Sequence, residues 1–167
     1  MQSDHRFANL VWLMPDRENR AYFHSFITAL AKRVDAPVFE PHLTLGKVDE
    51  QVLRGSFMAG AIELEATGIF TSSVFTKTLF VRFAVAPALL SLRSSLGMST
   101  NDYDPHLSLL YCQLPPAERQ RLAATIPLLP EKVTFDRLTV VRCPEPTTTR
   151  ADVEAWVQLG SRELKGT

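Results

Sequence analysis

Phe39-Glu40-Pro41-His42-Leu43-Thr44-Leu45 returns as Tyr103-Asp104-Pro105-His106-Leu107-Ser108-Leu109, position for position and without a gap. Aligned, both stretches read aromatic, acid, Pro, His, Leu, hydroxyl, Leu. A lone His-x-Thr carries little information. A seven-position match in each half of the chain points to an internal duplication with half a site per copy. In an extended strand alternate side chains share a face, so His42 and Thr44 point one way while Leu43 and Leu45 point the other. Each copy therefore anchors itself in a core through two leucines and presents an imidazole beside a hydroxyl, their Cα atoms about 6.6 Å apart. That spacing lets the two groups address different oxygens of one phosphate. Pro41 and Pro105 suit a first strand position, where a missing N–H costs least.

Outward from the repeats, the same order of elements appears twice. Residues 8–14 form an apolar run that reads as a buried strand. Asp16 is the candidate N-cap of a helix in which Tyr22, Phe23, Phe26, Ile27 and Leu30 recur at helical spacing through Arg33, with His24 at the surface. The pattern then predicts the first motif strand over 38–46, a short helix within 49–59 and a half-exposed strand over 62–66. A second β region follows over 75–85. Next come a helix from Pro87 to about Gly97, the second motif strand over 106–112, and a helix from Pro115 to Pro127. The last strands are expected over 133–142 and 153–160, separated by a Pro/Thr-rich loop. Each half reads strand, helix, motif strand, helix, strand, with one strand added at the end. Two lobes related by an approximate two-fold axis would bring the motif strands together and face His42 toward His106, and ligand clefts form at such interfaces.

At 167 residues the chain is one domain, 1–167, or two small lobes sharing a core. Lys plus Arg number 18 and Asp plus Glu 18, so a basic footprint for long RNA or DNA is missing. Any nucleic-acid chemistry would concern a nucleotide or a short end. Cys112 and Cys143 form no Cys-x-x-Cys, and the N-terminus has no secretory apolar region, which predicts a reducing, cytoplasmic setting. Both read as buried small residues. No apolar run reaches transmembrane length. The histidines His5, His24, His42 and His106 lack ligand spacing with the cysteines, so no metal is expected.

A pair of imidazoles across a cleft suits proton transfer near neutral pH, because one can be neutral while the other is protonated. In-line displacement at phosphorus needs this division. A base activates water on one side, and an acid protonates the departing oxygen on the other. Thr44 and Ser108 would donate hydrogen bonds to the non-bridging oxygens. A strained cyclic phosphate would need neither metal nor other cofactor.

The paired His-x-Thr/Ser tetrads resemble the signature of the two-histidine (2H) phosphoesterase superfamily, and within it the plant- and yeast-type cyclic phosphodiesterases. The likeness covers Val11-Trp12-Leu13-Met14-Pro15-Asp16, Pro41-His42-Leu43-Thr44 and Pro105-His106-Leu107-Ser108-Leu109-Leu110-Tyr111. It extends to Ser73-Val74-Phe75 and Glu154-Ala155-Trp156. The resemblance implies a bilobal α+β fold, with antiparallel sheets lining a central cleft and helices outside. It implies hydrolysis of nucleoside 2′,3′-cyclic phosphates to 2′-phosphates, with ADP-ribose 1″,2″-cyclic phosphate a further substrate. From the same likeness His106 is the general base and His42 the general acid, although a symmetric site does not reveal by itself where water enters.

Trp12 is open to two readings, a platform for a nucleobase or core packing. Tyr111 lies five residues after His106, so strict alternation turns it away from the site. The resemblance places it near the phosphate, which requires a bulge. Phe70 and Thr71 lie where related proteins line the base pocket, but the alignment there is ambiguous. Glu40 and Asp104 could orient the imidazoles or stand as exposed acids, and Lys47 could lend charge to a phosphate or be solvated. His5 has no assigned role. The expected partner is a small cyclic nucleotide bound by a monomer, with no long nucleic acid and no membrane. Two alternatives stand beside this: an RNA-end phosphodiesterase or 2′-5′ RNA ligase-like protein, and a nucleotide-binding module without turnover. Intact His and hydroxyl groups in both copies argue against the module.

Overall fold

The computed structural model describes residues 6–49, 51–55, 59–99 and 101–165, so His5 lies outside the described residues. The chain runs β1 (Arg6–Pro15), α1 (Arg17–Val34), β2 (Leu43–Lys47), β3 (Ile62–Thr71), β4 (Leu79–Phe83), α2 (Pro87–Ser95), β5 (His106–Leu110), α3 (Pro116–Ala124), β6 (Lys132–Glu145), α4 (Arg150–Glu154) and β7 (Val157–Glu163). Short 3-10 turns lie at Val52–Arg54 and Phe75–Lys77. Asp16 caps α1 as expected, its carboxylate accepting the Asn19 N–H at 2.9 Å. Lys32 and Arg33 complement the helix dipole at the other end. Phe23, Ile27, Leu30 and Ala31 give α1 a buried stripe at helical spacing.

All strand pairings are antiparallel, and the strands follow the order β1-β2-β5-β4-β3-β6-β7 in one sheet. Because β6 also pairs with β1, the first six strands close on themselves. The sheets of the two lobes are therefore not separate; they join through β2–β5 and through β3–β6. The duplication is visible in the succession β1-α1-β2-turn-β3 against β4-α2-β5-α3-β6, with α4 and β7 appended. Leu43 pairs with Leu107, the same tetrad position in each copy, as a two-fold relation demands. Leu43, Leu45, Leu107 and Leu109 are at most 1% exposed, and each contributes about 2 kcal/mol by burial.

Both motif strands carry a bulge at the same place. Val11 pairs with Gly46 and Trp12 with Thr44, which leaves Leu45 as the extra residue. Leu79 pairs with Leu110 and Phe80 with Ser108, which leaves Leu109. Each bulge turns the chain immediately after the hydroxyl of its tetrad.

Several boundaries differ from expectation for local reasons. Residues 38–42 are not strand. Pro15 ends β1, the Asp16 N–H donates to the Thr134 carbonyl, and the ladder with β2 begins only at Leu13–Leu43. Residues 75–78 form a turn because the Thr78 hydroxyl bonds back to the Phe75 carbonyl at 3.0 Å. Of the helix expected within 49–59, residues 50 and 56–58 lie outside the described residues, and the described ones form the turn at Val52–Arg54. The strand expected from residue 153 starts at Val157, since Thr149 and Asp152 form a capping box that makes α4 first.

Candidate active site

The second half of β1, from Val11 on, is buried on both faces. Val11 and Leu13 enter the main core, while Trp12 and Met14 pack with Val141, Cys143, Leu10 and Trp156 in a second cluster. His42 sits on this second cluster. Its ring stacks on the Trp12 indole with centroids 3.6 Å apart and planes 12° from parallel, and Trp156 meets it edge-on at 5.8 Å. His42 Nδ1 lies 2.7 Å from the Glu40 carbonyl oxygen. A carbonyl only accepts, so Nδ1 carries the proton and Nε2 is left for the cleft. Burial drives the His42 pKa down to about 4; the Glu40 carbonyl opposes this, and the charge of His106 adds to it.

His106 repeats the arrangement, its Nδ1 donating to the Asp104 carbonyl at 2.9 Å. Phe80, the counterpart of Trp12 in β4, meets the ring edge-on at 5.5 Å. Burial lowers the His106 pKa, the Asp104 carbonyl raises it, and Lys77 and Arg82 lower it further. The two imidazoles line one cavity of about 550 Å³ together with Trp12, Thr44, Tyr111 and Trp156. Much of its remaining wall comes from the turn at residues 73–76 and the loop at 144–148.

No family model matches the chain. It is 27% identical to the cyclic phosphodiesterase of Arabidopsis thaliana over 127 residues, 66% of this chain and 68% of the plant protein. The fold matches that of E. coli LigT in its apo form with a TM-score of 0.58 and 16% identity, over 97% of this chain and 99% of LigT. A Thermus thermophilus protein matches with a TM-score of 0.57 and 18% identity, over 95% of this chain and 98% of its own. The chain has the fold of LigT and is distantly similar in sequence to a plant cyclic phosphodiesterase.

Within this fold, His42, Thr44 and His106 reach the cavity as the repeats suggest. Tyr111 does so too, through the bulge at Leu109, and its hydroxyl stands 3.5 Å from His42 Nε2. Burial raises the Tyr111 pKa, so the phenol keeps its proton. Ser108 is placed differently. It does not form part of the cavity wall, and its hydroxyl donates to the Thr76 carbonyl at 2.6 Å. Trp12 lies on the cavity wall as well, but it is 3% exposed and gives one indole face to the His42 ring. Phe70 and Thr71 lie outside the cavity wall, whereas Lys47 lies on it, paired with Glu145. Cys143 is buried beside the site, and burial pushes its thiol up to about 12, which leaves it inert.

Sequence reasoning weighed the carboxylates of Glu40 and Asp104 as orienting groups; the atoms of those residues that contact the rings are their main-chain carbonyls. Phe80 was missed, although β4 reads Leu79-Phe80-Val81-Arg82-Phe83 and carries its aromatic residue where β1 has Trp12. Two further residues support the first half-site from behind. The Tyr103 hydroxyl donates to the Thr44 carbonyl at 2.8 Å, and Arg93 Nε donates to the Leu45 carbonyl at 3.1 Å. The Arg93 guanidinium lies 3.8 Å from the Tyr103 ring centroid. These donors hold the carbonyls that the bulge at Leu45 withdraws from the ladder.

Proposed function

We propose that this chain is a metal-independent cyclic phosphodiesterase that opens nucleoside 2′,3′-cyclic phosphates to 2′-phosphates. The observation that carries the reading is the shared cavity. Two imidazoles from different halves line it, each with Nδ1 tied to the carbonyl two residues before it, which leaves Nε2 as the nitrogen for proton transfer. Water attacks phosphorus, and the new P–O bond forms as the bond to O3′ breaks. One imidazole takes the proton from water, and the other gives its proton to O3′. Thr44 donates to a non-bridging oxygen. Ser108 would join it once its hydroxyl turns from Thr76 toward the phosphate.

The similarity to the plant cyclic phosphodiesterase supports this class of substrate. E. coli LigT, which shares the fold, has been solved with phosphate, 3′-AMP, ATP and NADP+, all compatible with a small nucleotide as occupant. A groove for polymeric RNA should gather Lys and Arg. Here the balance is even, and the lysine on the wall, Lys47, is already paired. Among the described residues no three His, Cys, Asp or Glu side chains converge as metal ligands, and no helix is long and apolar enough to cross a membrane.

The decisive experiment is hydrolysis of 2′,3′-cyclic AMP in excess EDTA. The parent protein should form 2′-AMP, and His42→Ala and His106→Ala should each lose about 10²- to 10⁴-fold. Activity that vanishes with the chelator, or variants as active as the parent, would overturn the proposal.

A further inference from the structure

Strand register shows how far the two half-sites have diverged. Trp12 lies across the ladder from Thr44, and Phe80 across from Ser108. Two residues further along each strand the match ends. Met14 is buried in the apolar cluster of the first copy, whereas Arg82 stands directly across the ladder from His106 in the second. Arg82 grips the Asp104 carboxylate with two bonds, Nε to Oδ1 at 2.8 Å and a terminal nitrogen to Oδ2 at 3.1 Å. Lys77 Nζ reaches the same Oδ2 at 3.0 Å and lies 4.8 Å from the Phe80 ring centroid. Asp104 is also the residue whose carbonyl holds His106 Nδ1. In the first copy that carbonyl belongs to Glu40, whose carboxylate enters no ion pair among the described residues.

We propose that Arg82, Asp104 and Lys77 act together as a positioning clamp for His106, a device the His42 half-site lacks. The proposal rests on the reading of His106 as a proton-transfer group. A carboxylate held by a two-pronged guanidinium on one side and an ammonium on the other fixes the backbone torsions of residue 104. Those torsions set the direction of its carbonyl. The carbonyl sets the plane of the imidazole, and so the line along which Nε2 meets substrate.

The clamp also charges the surroundings of the ring, because two cations share one anion. The groups acting on His106 are Lys77 from the turn before β4, Arg82 from β4 and Asp104 from its own lead-in, with His42 across the cavity. In the first half-site Trp12, Trp156 and Phe39 surround His42, and burial dominates. The duplication has thus produced one imidazole enclosed by aromatic rings and another on which, besides burial, the charges of Lys77, Asp104 and Arg82 also act.

The test is to titrate the ring protons of His42 and His106 by NMR in the full chain without substrate. Lys77→Gln should raise the His106 pKa by roughly half a unit and leave His42 in place, and Lys77→Arg should restore the parent value. Asp104→Asn should move His106 the other way. With 2′,3′-cyclic AMP, Arg82→Gln should lower kcat about tenfold while KM changes less than about twofold, as expected of a misaimed proton-transfer group. A His106 titration that ignores both Lys77→Gln and Asp104→Asn would reduce the cluster to a surface ion pair and overturn the inference. Should the parent protein fail to open cyclic phosphates, the proposed function falls, yet the titrations still decide the clamp.

Discussion

Acidification should weaken this fold through His42 in particular. The residue is 5% exposed, stacked on Trp12, and has a pKa of about 4. An unfolded chain takes up this proton near 6.5. Between those two values the unfolded state binds more protons than the folded one, so stability falls as the pH falls. Above pH 6.5 the contribution is fully present. At 1.36 kcal/mol per pKa unit, the difference between 6.5 and about 4 amounts to about 3 kcal/mol, of which about 2 kcal/mol is lost by pH 5. That is a large share of the roughly 5–15 kcal/mol that holds a domain together. Urea unfolding followed by circular dichroism at pH 7, 6, 5 and 4 measures it, with His42→Gln as the non-titrating comparison. The variant should start less stable at pH 7 and then lose about 2 kcal/mol less than the parent on the way to pH 5. His106 is present in both proteins and cancels. Parallel curves, or a His42 ring that titrates near 6.5, would refute the reasoning.

The depressed pKa values of both imidazoles place the singly protonated pair on the acid side of 6.5 in the free protein, so kcat/KM for a cyclic nucleotide should be bell-shaped with its maximum below that value; an optimum near pH 8 would contradict it. Trp12→Ala should cost about 3–5 kcal/mol in urea unfolding and raise the His42 pKa, because water reaches the ring. Trp12→Phe should cost far less, since it keeps an aromatic face and removes an indole N–H that is buried with no hydrogen-bond partner among the described residues. Tyr103→Phe leaves the Thr44 carbonyl without its donor and should lower stability by about 1 kcal/mol, measured the same way.

The repeats, the two-fold order of elements and the cap at Asp16 were legible because each rests on local chemistry: alternation, periodicity, a side chain that satisfies a free N–H. Shared access of His42 and His106 to one cavity followed from the duplication itself. The bulge at Leu109 could be anticipated, because Tyr111 reaches the site only if alternation breaks, but its twin at Leu45 could not. Nothing in Leu43-Thr44-Leu45 announces it, since the extra residue is set by donors from Tyr103 and Arg93 far along the chain. The fate of Ser108 depends in the same way on Thr76, a turn residue 32 positions earlier. The stack of Trp12 under His42 is tertiary as well, because alternation places both on one side of the sheet without saying whether the indole faces the ligand or the imidazole. α4 was the avoidable miss, since Thr149 and Asp152 carry the spacing of a capping box in plain view.

The chain has two tryptophans, Trp12 and Trp156, and both touch the His42 ring. Imidazolium quenches indole emission where neutral imidazole does so weakly, so the intrinsic fluorescence of the native protein is an optical gauge of one proton. Without any label, the glow of the whole molecule should dim as that proton arrives and brighten as it leaves, and an anion lodged against the ring should move the midpoint toward neutrality.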